Sequence, residues 1–399
     1  KRLSVGLISI DFSLSNYDHF FRSLSLLAIR TKTLVIKRRA DYELDHKAFR
    51  YYFSSFLGVV LPFIPFCKQI VRFYDSILVP KDLDYIFKDE KPDLIFSTDV
   101  QNEIDVRLIH RAQSLGIKAV GMVRSWDNLT CKGMIRAVPD ILVVNNDILK
   151  EEAVSIHGID PHSIRVVGVP HYDSYLEDRK RNDFDKVSFL QENSFDEERK
   201  TVTYIPTGDR YIPENGLDEF VIRTLGSEPI NLIVRLPPAD HVSIKEPIAD
   251  TKAIIFWNQP GRSDWKGGLK TNEVSVEDDL MLKKVLRASD LVVSGPSTVL
   301  IDAAIFETPL LAVAFDESPK NYYRGIKRYY DYLHIKKLID LGGINVADNK
   351  TEFITLVRKI LSGGSGVPSG GEKVISSYDP FVDGKSANRL ARVITQALK

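Results

Sequence analysis

The sequence predicts an α/β protein with two halves, each built on a parallel β-sheet that helices cover on both faces. Three observations favour this fold class. Short, nearly continuous β-branched runs recur along the chain, as expected of strands that are buried on both sides. Helical patterns that end at Gly116 and Gly158 separate such runs. The alternation stops in a charged stretch and then restarts, which indicates a second half of the same kind.

The first half is predicted to occupy residues 1–180. Its helical patterns cover 106–115 and 148–157. The stretch 177–200 is dense in charge and poor in apolar runs, which is typical of a linker or a surface excursion. The predicted strands are the apolar runs at 3–10, 34–36, 93–97, 118–124, 141–145 and 164–169.

The second half is predicted to occupy residues 200–380, where the alternation resumes. Residues 362–371 are a flexible loop by composition. Residues 386–398 place their apolar side chains on one helical face, so we expect 381–399 to form a C-terminal helix that packs back on the first half. The predicted strands are 201–206, 231–236, 253–257, 290–294 and 310–315.

Composition limits the function classes. The 54 Lys and Arg residues balance 54 Asp and Glu residues, which argues against a nucleic-acid partner because such proteins usually carry a basic excess. Two cysteines in 399 residues favour a reducing compartment. No apolar run reaches the roughly 18 residues of a membrane-spanning helix. We therefore expect a soluble, cytoplasmic protein.

Common cofactor and metal motifs do not occur in the chain. No GxGxxG follows the first predicted strand, and no P-loop follows any strand. The chain has no HExxH motif and no CxxC pair. The two D-x-D triplets, at 82–84 and 183–185, lie in polar, non-strand settings, where a chance match is the simpler explanation. We therefore expect neither a cofactor nor a metal site.

The most informative segment is 288–316. A buried strand runs into Gly295, Pro296, Ser297 and Thr298, and an apolar helix that carries Asp302 follows. Ligands of open α/β sheets bind at the carboxyl ends of strands, and the free N–H groups of a helix N-terminus attract anions. The loop therefore predicts a phosphate site, and simple helix capping by Ser297 or Thr298 is the alternative.

This segment reads ASDLVVSGPSTVLIDAAIFETPLLAVAFD. It resembles the donor-domain signature of GT-B glycosyltransferases from bacterial surface-polysaccharide clusters and is similar to the related CDP-glycerol glycerophosphotransferase group. At residues 235–237 the chain reads RLP where relatives often carry R-x-H-P, so a donor contact through that histidine is not expected here. The same resemblance extends to residues 123–133, 143–145, 166–173 and 381–384, and to Arg389.

The resemblance implies two Rossmann-like domains that face each other across a cleft. The N-terminal domain would bind the acceptor and supply catalysis, and the C-terminal domain would bind the donor phosphates through helix N-termini and basic side chains instead of a metal ion. Thr207 and Gly208 join the donor site because Gly lets the backbone approach a phosphate closely. The other donor-binding candidates are Arg235, Gly295, Ser297, Thr298 and Asp302. For Arg235, a surface ion pair is the alternative.

Catalytic candidates come from strand ends of the first half. A transferase that inverts stereochemistry needs a base for the acceptor hydroxyl, and a retaining double displacement needs a carboxylate nucleophile. Asp127 in the SWDN turn is the first choice, followed by Asp99 and Asp11; turn formation or helix capping is the alternative for each. Two further sets are His171, as base or phosphate contact, and Arg124, Asn128 and Lys132, as anion or acceptor contacts.

A basic and aromatic stretch at residues 30–67 concerns partners. Seven Lys and Arg residues stand against three acidic residues between Arg30 and Arg50, and an apolar, aromatic run interrupted by Pro62 and Pro65 follows. Such a pair predicts peripheral contact with the inner face of the cytoplasmic membrane. The alternative is a buried amphipathic helix.

Together these features predict a metal-independent glycosyltransferase. It would move a sugar or a sugar phosphate from an activated donor, such as a nucleotide sugar or another pyrophosphate-activated sugar, to a lipid-linked glycan acceptor of lipopolysaccharide, O-antigen or capsule type. Three alternatives stay open: a CDP-glycerol or CDP-ribitol phosphotransferase, an enzyme like the sugar-nucleotide 2-epimerases, and a non-catalytic scaffold module.

Overall fold

Two compact units make up the chain. The computed structural model describes residues 8, 10, 12–181, 183–212, 215–238, 240–245, 248, 250–261, 274–364 and 371–399. Within these residues, the first unit is drawn from Lys1–Leu34, Phe49–Val167 and Arg389–Lys399. The second is drawn from Val35–Ala48 and Gly168–Asn388.

The first unit contains four described strands in one parallel sheet, in the order β1-β2-β3-β4. Val120 and Val143 in its centre are fully buried, as the continuous apolar runs predict. Ser97 at the end of β1 lies opposite Gly121 near the end of β2, so the chain segments that leave these strands are neighbours. The strands are β1 Leu94–Ser97, β2 Lys118–Met122, β3 Ile141–Val144 and β4 Ile164–Val166.

Helices surround this sheet. Asn102 caps α6 and Asn146 caps α8, each through a side-chain oxygen that accepts a backbone N–H of the first turn. The helices are α1 Asn16–Leu27, α3 Ala48–Val60, α4 Cys67–Leu78, α5 Asp84–Glu90, α6 Glu103–Ser114, α7 Asn128–Cys131 and α8 Asp147–Ser155, and α2 Lys32–Asp45 passes from the first unit into the second.

The second unit contains six described strands in one parallel sheet, in the order β10-β9-β8-β5-β6-β7. The chain runs from β5 outward to β7 and then returns to β8 on the other side of β5. A parallel sheet has its topological switch point where the strand order reverses, which is here between β5 and β8. The strands are β5 Thr201–Ile205, β6 Asn231–Arg235, β7 Ile254–Asn258, β8 Leu291–Ser294, β9 Leu310–Val313 and β10 Asn345–Ala347. The predicted α/β class with parallel, Rossmann-like sheets is confirmed.

The helices of the second unit cover this sheet. Ser275 caps α12 in a capping box with Asp278, which satisfies N–H groups of the first turn. They are α9 Tyr172–Arg181, α10 Lys186–Glu192, α11 Leu217–Gly226, α12 Val276–Ala288, α13 Val299–Ile305, α14 Lys327–Tyr330, α15 Leu333–Asp340, α16 Lys350–Leu361 and α17 Gly371–Tyr378; α18 Ser386–Ala397 ends in the first unit.

Two predicted elements differ from the structure. Residues 34–36 were expected to form a strand, but they lie inside α2, because three β-branched or aliphatic residues among lysines and arginines do not define a period. The charged stretch 177–200 contains the end of α9 and all of α10, and Phe189 and Leu190 pack against Ile233 of β6. Of the predicted strand 3–10, all but residues 8 and 10 lies outside the described residues.

The last helix covers one face of the first sheet. Leu390, Val393 and Ala397 of α18 belong to the same apolar cluster as Met122 and Val143. Lys118 Nζ also donates to the Ala397 carbonyl over 3.2 Å. Burial of the apolar face of α18 therefore anchors the C-terminus on this sheet.

Candidate functional site

In the first unit, three predicted side chains meet at the carboxyl ends of β1 and β2. Lys132 Nζ lies 2.9 Å from Asp99 Oδ2, and Asn128 Nδ2 donates to Asp99 Oδ1 over 3.5 Å. The backbone N–H of Gln101 donates to Asp99 Oδ1 over 3.1 Å. Asp99 is therefore a buried carboxylate that holds a lysine and an amide in place.

Asp127 keeps one carboxylate oxygen outside this network. Ser125 Oγ donates to Asp127 Oδ1 over 2.6 Å, and within the described part of the chain no side chain pairs with Oδ2. The side chain is half-buried, and it makes no capping bond to α7. A partly buried carboxylate with an open acceptor oxygen has the geometry that a general base requires.

Asp105 is a further carboxyl group in this region that sequence reasoning missed. Burial raises the pKa of Asp105, the negative charge of Asp99 adds to the rise, and the exposed Arg124 opposes it. Its only signal in the sequence was its place in the first turn of α6, beyond the end of β1. The third catalytic candidate, Asp11, lies outside the described residues.

In the second unit, the predicted donor loops meet at the switch point. Thr207 follows β5, and Gly295 follows β8, the strand beside β5. A Cβ atom on Gly295 would lie 2.3 Å from Thr207 Oγ1, so a larger residue here would have to displace this hydroxyl. Thr207 Oγ1 is buried, and among the described residues it has no hydrogen-bond partner. An unsatisfied hydroxyl at the switch point is a natural contact for a polar ligand.

The backbone of Thr207 and Gly208 has a different role from the one expected. Both N–H groups donate to the buried carboxylate of Asp218, over 3.1 and 2.9 Å. The Tyr204 hydroxyl and the Asn215 amide donate to the same carboxylate. Burial raises the pKa of Asp218, and these hydrogen bonds lower it. Gly208 therefore supplies a turn with φ of 87°, and its N–H is already used.

The loop after β8 presents hydroxyl groups beside this strand end. Ser297 Oγ accepts the N–H of Val299 over 3.4 Å, which is a weak cap for α13. Thr298 has helical backbone angles, its side chain makes no capping bond, and it is exposed. Capping of α13 therefore uses the Ser297 hydroxyl only weakly.

Arg235 ends β6 as a buried guanidinium. Its Nη2 donates to the Asp278 carbonyl over 2.8 Å, and its Nη1 donates to Asn258 Oδ1. Within the described ranges it forms no salt bridge, so the alternative of a surface ion pair is wrong. Burial lowers the pKa of Arg235, and the nearby charges of Asp278 and Asp279 oppose this. Among the described residues, three of its five N–H donors have no partner and remain for an anion.

Asp302 lies buried in the first turn of α13. Burial raises the pKa of this carboxyl to about 7. The hydrogen bond from Tyr172 lowers it, and the charge of Asp279 raises it further. The hydrogen bond with Tyr172 therefore links α13 to α9.

His171 belongs to the same neighbourhood through Asp279. Tyr175 donates its hydroxyl to Asp279 Oδ1 over 2.8 Å, and His171 Nε2 lies 3.8 Å from that oxygen. Sequence reasoning missed Tyr172, Tyr175 and Asp279, although the spacing of the two tyrosines on one helical face was visible. Among the described residues, no group of three or more His, Cys, Asp or Glu side chains is arranged to hold a metal ion.

Several solved structures are similar to this chain at low sequence identity. A Listeria monocytogenes protein described as a UDP-N-acetylglucosamine 2-epimerase is 17% identical with a TM-score of 0.52, over 82% of this chain and 81% of that chain. The Methanocaldococcus jannaschii UDP-GlcNAc 2-epimerase in complex with UDP-GlcNAc and UDP is 16% identical with a TM-score of 0.47, over 82% of each chain. The wall teichoic acid polymerase TagF is 16% identical with a TM-score of 0.42, over 70% of this chain and 67% of that chain.

Sequence comparison gives the family. No curated protein sequence matches the chain significantly. Residues 135–396, which include the switch point, Arg235 and α18, match the model of one protein family. The predicted resemblance and the transferase class are confirmed, and the fold is of the GT-B type. The chain belongs to the CDP-glycerol:poly(glycerophosphate) glycerophosphotransferase family.

Proposed function

We propose that the chain transfers a phosphate-linked polyol or sugar from a nucleotide-activated donor to a hydroxyl group of a cell-surface polymer. The observation that carries this proposal is the switch point of the second unit. There an unpartnered Thr207 hydroxyl meets the loop at Gly295, and Arg235 ends β6 as a buried cation without a salt bridge in the described chain. Hydroxyl and guanidinium donors suit the oxygens of a diphosphate.

The first unit supplies the base in this proposal. Asp127 takes the proton of the acceptor hydroxyl through its open oxygen, and Asp99 holds Lys132 and Asn128 as contacts for an anionic acceptor. The acceptor oxygen attacks the phosphorus that carries the polyol, and the bond from that phosphorus to the bridging oxygen breaks. The products are the extended polymer, a nucleoside monophosphate and one proton. In this proposal Arg235 offsets the charge of the donor phosphates and Lys132 that of the acceptor, and no metal ion is invoked.

Glycosyl transfer is the second candidate, favoured by the likeness in fold to an enzyme named for UDP-N-acetylglucosamine. In that reaction the acceptor oxygen attacks the sugar carbon, and a nucleoside diphosphate leaves. The leaving nucleotide therefore separates the two candidates without knowledge of the acceptor.

A thermal-shift panel tests the donor site. CDP, CMP, UDP and GDP are added separately to the wild-type chain and to Arg235→Lys, both with EDTA. We expect a cytidine nucleotide to stabilise the wild-type chain, by about 2.7 kcal/mol at 100 times its dissociation constant. The variant should need at least about tenfold more ligand, as expected for loss of a charged hydrogen bond. Equal stabilisation of both proteins would overturn the site, and stabilisation that needs added Mg²⁺ would overturn the metal-independent form.

The proposal includes peripheral membrane contact through the elbow, which we define as α3, the 3-10 turn Leu61–Phe63 and α4 (residues 48–78). Phe49, Phe63 and Phe66 are 82%, 74% and 72% exposed. No single described helix is long and apolar enough to cross a membrane; α3 with its 3-10 extension passes that test only jointly with α4, across a bend of 103°. Other exposed apolar side chains of the elbow are Tyr52, Phe53, Phe56, Ile70, Phe73, Tyr74, Ile77 and Leu78.

An apolar surface of this extent supports burial in a lipid interface. It does not fit the buried-helix alternative. Arg39, in the basic stretch, is engaged by Glu43 at 2.7 Å and lies over the Tyr42 ring, so its charge already has protein partners. Replacing Phe63 and Phe66 by Ser should reduce vesicle co-sedimentation at least about tenfold, since burial of each side chain contributes ~2 kcal/mol. The matched control Tyr85→Ser, an exposed aromatic of α5, should bind as wild type; unchanged binding of the double variant would rule out the contact.

A further inference from the structure

A small pocket opens at the bend of the elbow. Its volume is about 280 Å³, and its walls come from residues 62–69, Arg72, His157 and Gly158. Most pockets for drug-sized ligands enclose roughly 300–1,000 Å³. At about 280 Å³ the pocket lies just below this range, which suits a small phosphate-bearing headgroup.

Two basic side chains form the polar part of this pocket. Lys68 and Arg72 lie one turn apart on α4, and both are half-buried. Lys68 Nζ donates to the Ile156 carbonyl over 2.5 Å. Arg72 donates through Nε to the Ile135 carbonyl over 3.1 Å and through Nη2 to the His157 carbonyl over 2.8 Å. Neutral carbonyls thus fix the direction of both cations.

Within the described ranges, no carboxylate forms a salt bridge with Lys68 or Arg72. Burial lowers the pKa of Arg72 to about 10, and burial together with the charge of Arg72 lowers the pKa of Lys68. Two like charges held together in a partly desolvated site are unfavourable unless an anion joins them.

His157, which also lines the pocket, does not add a third positive charge. Its Nδ1 accepts the Ile135 N–H over 3.0 Å, so its Nε2 carries the proton that is donated to the Leu129 carbonyl over 2.9 Å. Burial lowers the pKa of His157 to about 4, so the ring is neutral near pH 7. The positive end of the 12-residue helix α4, which begins at Cys67, adds to the field of the two cations.

We propose that this pocket binds the phosphate of an anionic lipid headgroup, with Lys68 and Arg72 as its ligands; the inference rests on the proposed membrane contact of the elbow. The rim favours a lipid over free phosphate. Phe63, Ile64 and Phe66 line the pocket, and the two phenylalanines are largely exposed, so acyl chains could lie against them while the phosphate meets the cations. A soluble phosphate would leave these apolar side chains in water.

Vesicle co-sedimentation tests the site with the full chain. The vesicles are phosphatidylcholine alone, or phosphatidylcholine with phosphatidylglycerol, and the variants are Lys68→Gln and Lys88→Gln. Lys88 is an exposed lysine of α5 outside the pocket and serves as the matched control. Loss of one basic residue near an anionic surface weakens binding about fivefold at most. We expect Lys68→Gln to lose more than about tenfold on the anionic vesicles, as for a direct charged hydrogen bond, and nothing on phosphatidylcholine.

Three other results would overturn the proposal in distinguishable ways. Equal behaviour of Lys68→Gln and Lys88→Gln would remove the headgroup site and leave the membrane contact. Absence of wild-type binding to both vesicles would remove the membrane contact as well. If Lys68→Gln lost only the thermal stabilisation by sn-glycerol 3-phosphate, with vesicle binding unchanged, the pocket would bind a soluble phosphate and not a lipid.

Discussion

Asp302→Asn should change how the stability of the chain depends on pH. Burial raises the pKa of Asp302 from 3.8 to about 7. Between these values the folded chain holds a proton that the unfolded chain has lost, so the free energy of unfolding falls as the pH rises through this window. A difference of about three pKa units corresponds to ~4 kcal/mol at pH 8. Asn stays neutral and can accept the Tyr172 hydrogen bond, so the variant should lack this loss.

Urea unfolding of the second unit at pH 4, 5, 6, 7 and 8 measures the effect. Taking the difference between wild type and variant cancels every other titrating group. We expect the wild-type chain to lose ~4 kcal/mol relative to Asp302→Asn between pH 4 and pH 8. Asp348→Asn, which removes an exposed carboxyl from the same unit, should follow the wild-type profile. Parallel profiles for wild type and Asp302→Asn would refute the raised pKa of Asp302 in the folded chain.

Three further variants test the site. Asp127→Asn should lower kcat by about 10²–10⁴-fold at unchanged donor affinity, whereas exposed Asp89→Asn should not; a wild-type rate would exclude Asp127 as the base. Arg235→Lys should raise the donor Kd by about 10–100-fold in calorimetry, and an effect equal to that of exposed Arg358→Lys would contradict its role. Gly295→Ala should lower stability by ~1–3 kcal/mol in urea unfolding, because its Cβ would lie 2.3 Å from Thr207 Oγ1; a neutral result would mean that the loops can separate.

Much of the second unit could be predicted from the sequence because its strands are continuous apolar runs bounded by turns. The predicted run 201–206 contains β5, and 231–236 contains β6, with an error of one residue at the end of each. The strand predicted at residues 34–36 was wrong because three apolar residues do not define a period, and the surrounding basic residues fit a helix equally well. The local sequence is therefore enough to predict these strands, whereas the structure of a segment without a period, such as residues 34–36, depends on tertiary packing.

The residues of the candidate site could be predicted from the sequence only where they follow the ends of buried strands. Asp99, Asp127 and the loop at Gly295 follow buried strands, and the structure places them where the strand-end rule expects. Asp218 could not be found in this way, because its role depends on how the start of α11 packs beneath the Thr207 loop. The exposure of the elbow could not be predicted from the sequence either, because an apolar helix has the same sequence pattern whether it packs against protein or against lipid.

The nucleotide that is released tests most directly whether the chain transfers a phosphoryl group to a polymer. The wild-type chain is incubated with CDP-glycerol and a poly(glycerophosphate) acceptor, and the nucleotide products are separated by chromatography. We expect CMP, formed only with acceptor present and in equal amount to the glycerol phosphate that the polymer gains. Release of CDP, or CMP formed equally without acceptor, would contradict phosphoryl transfer to a polymer.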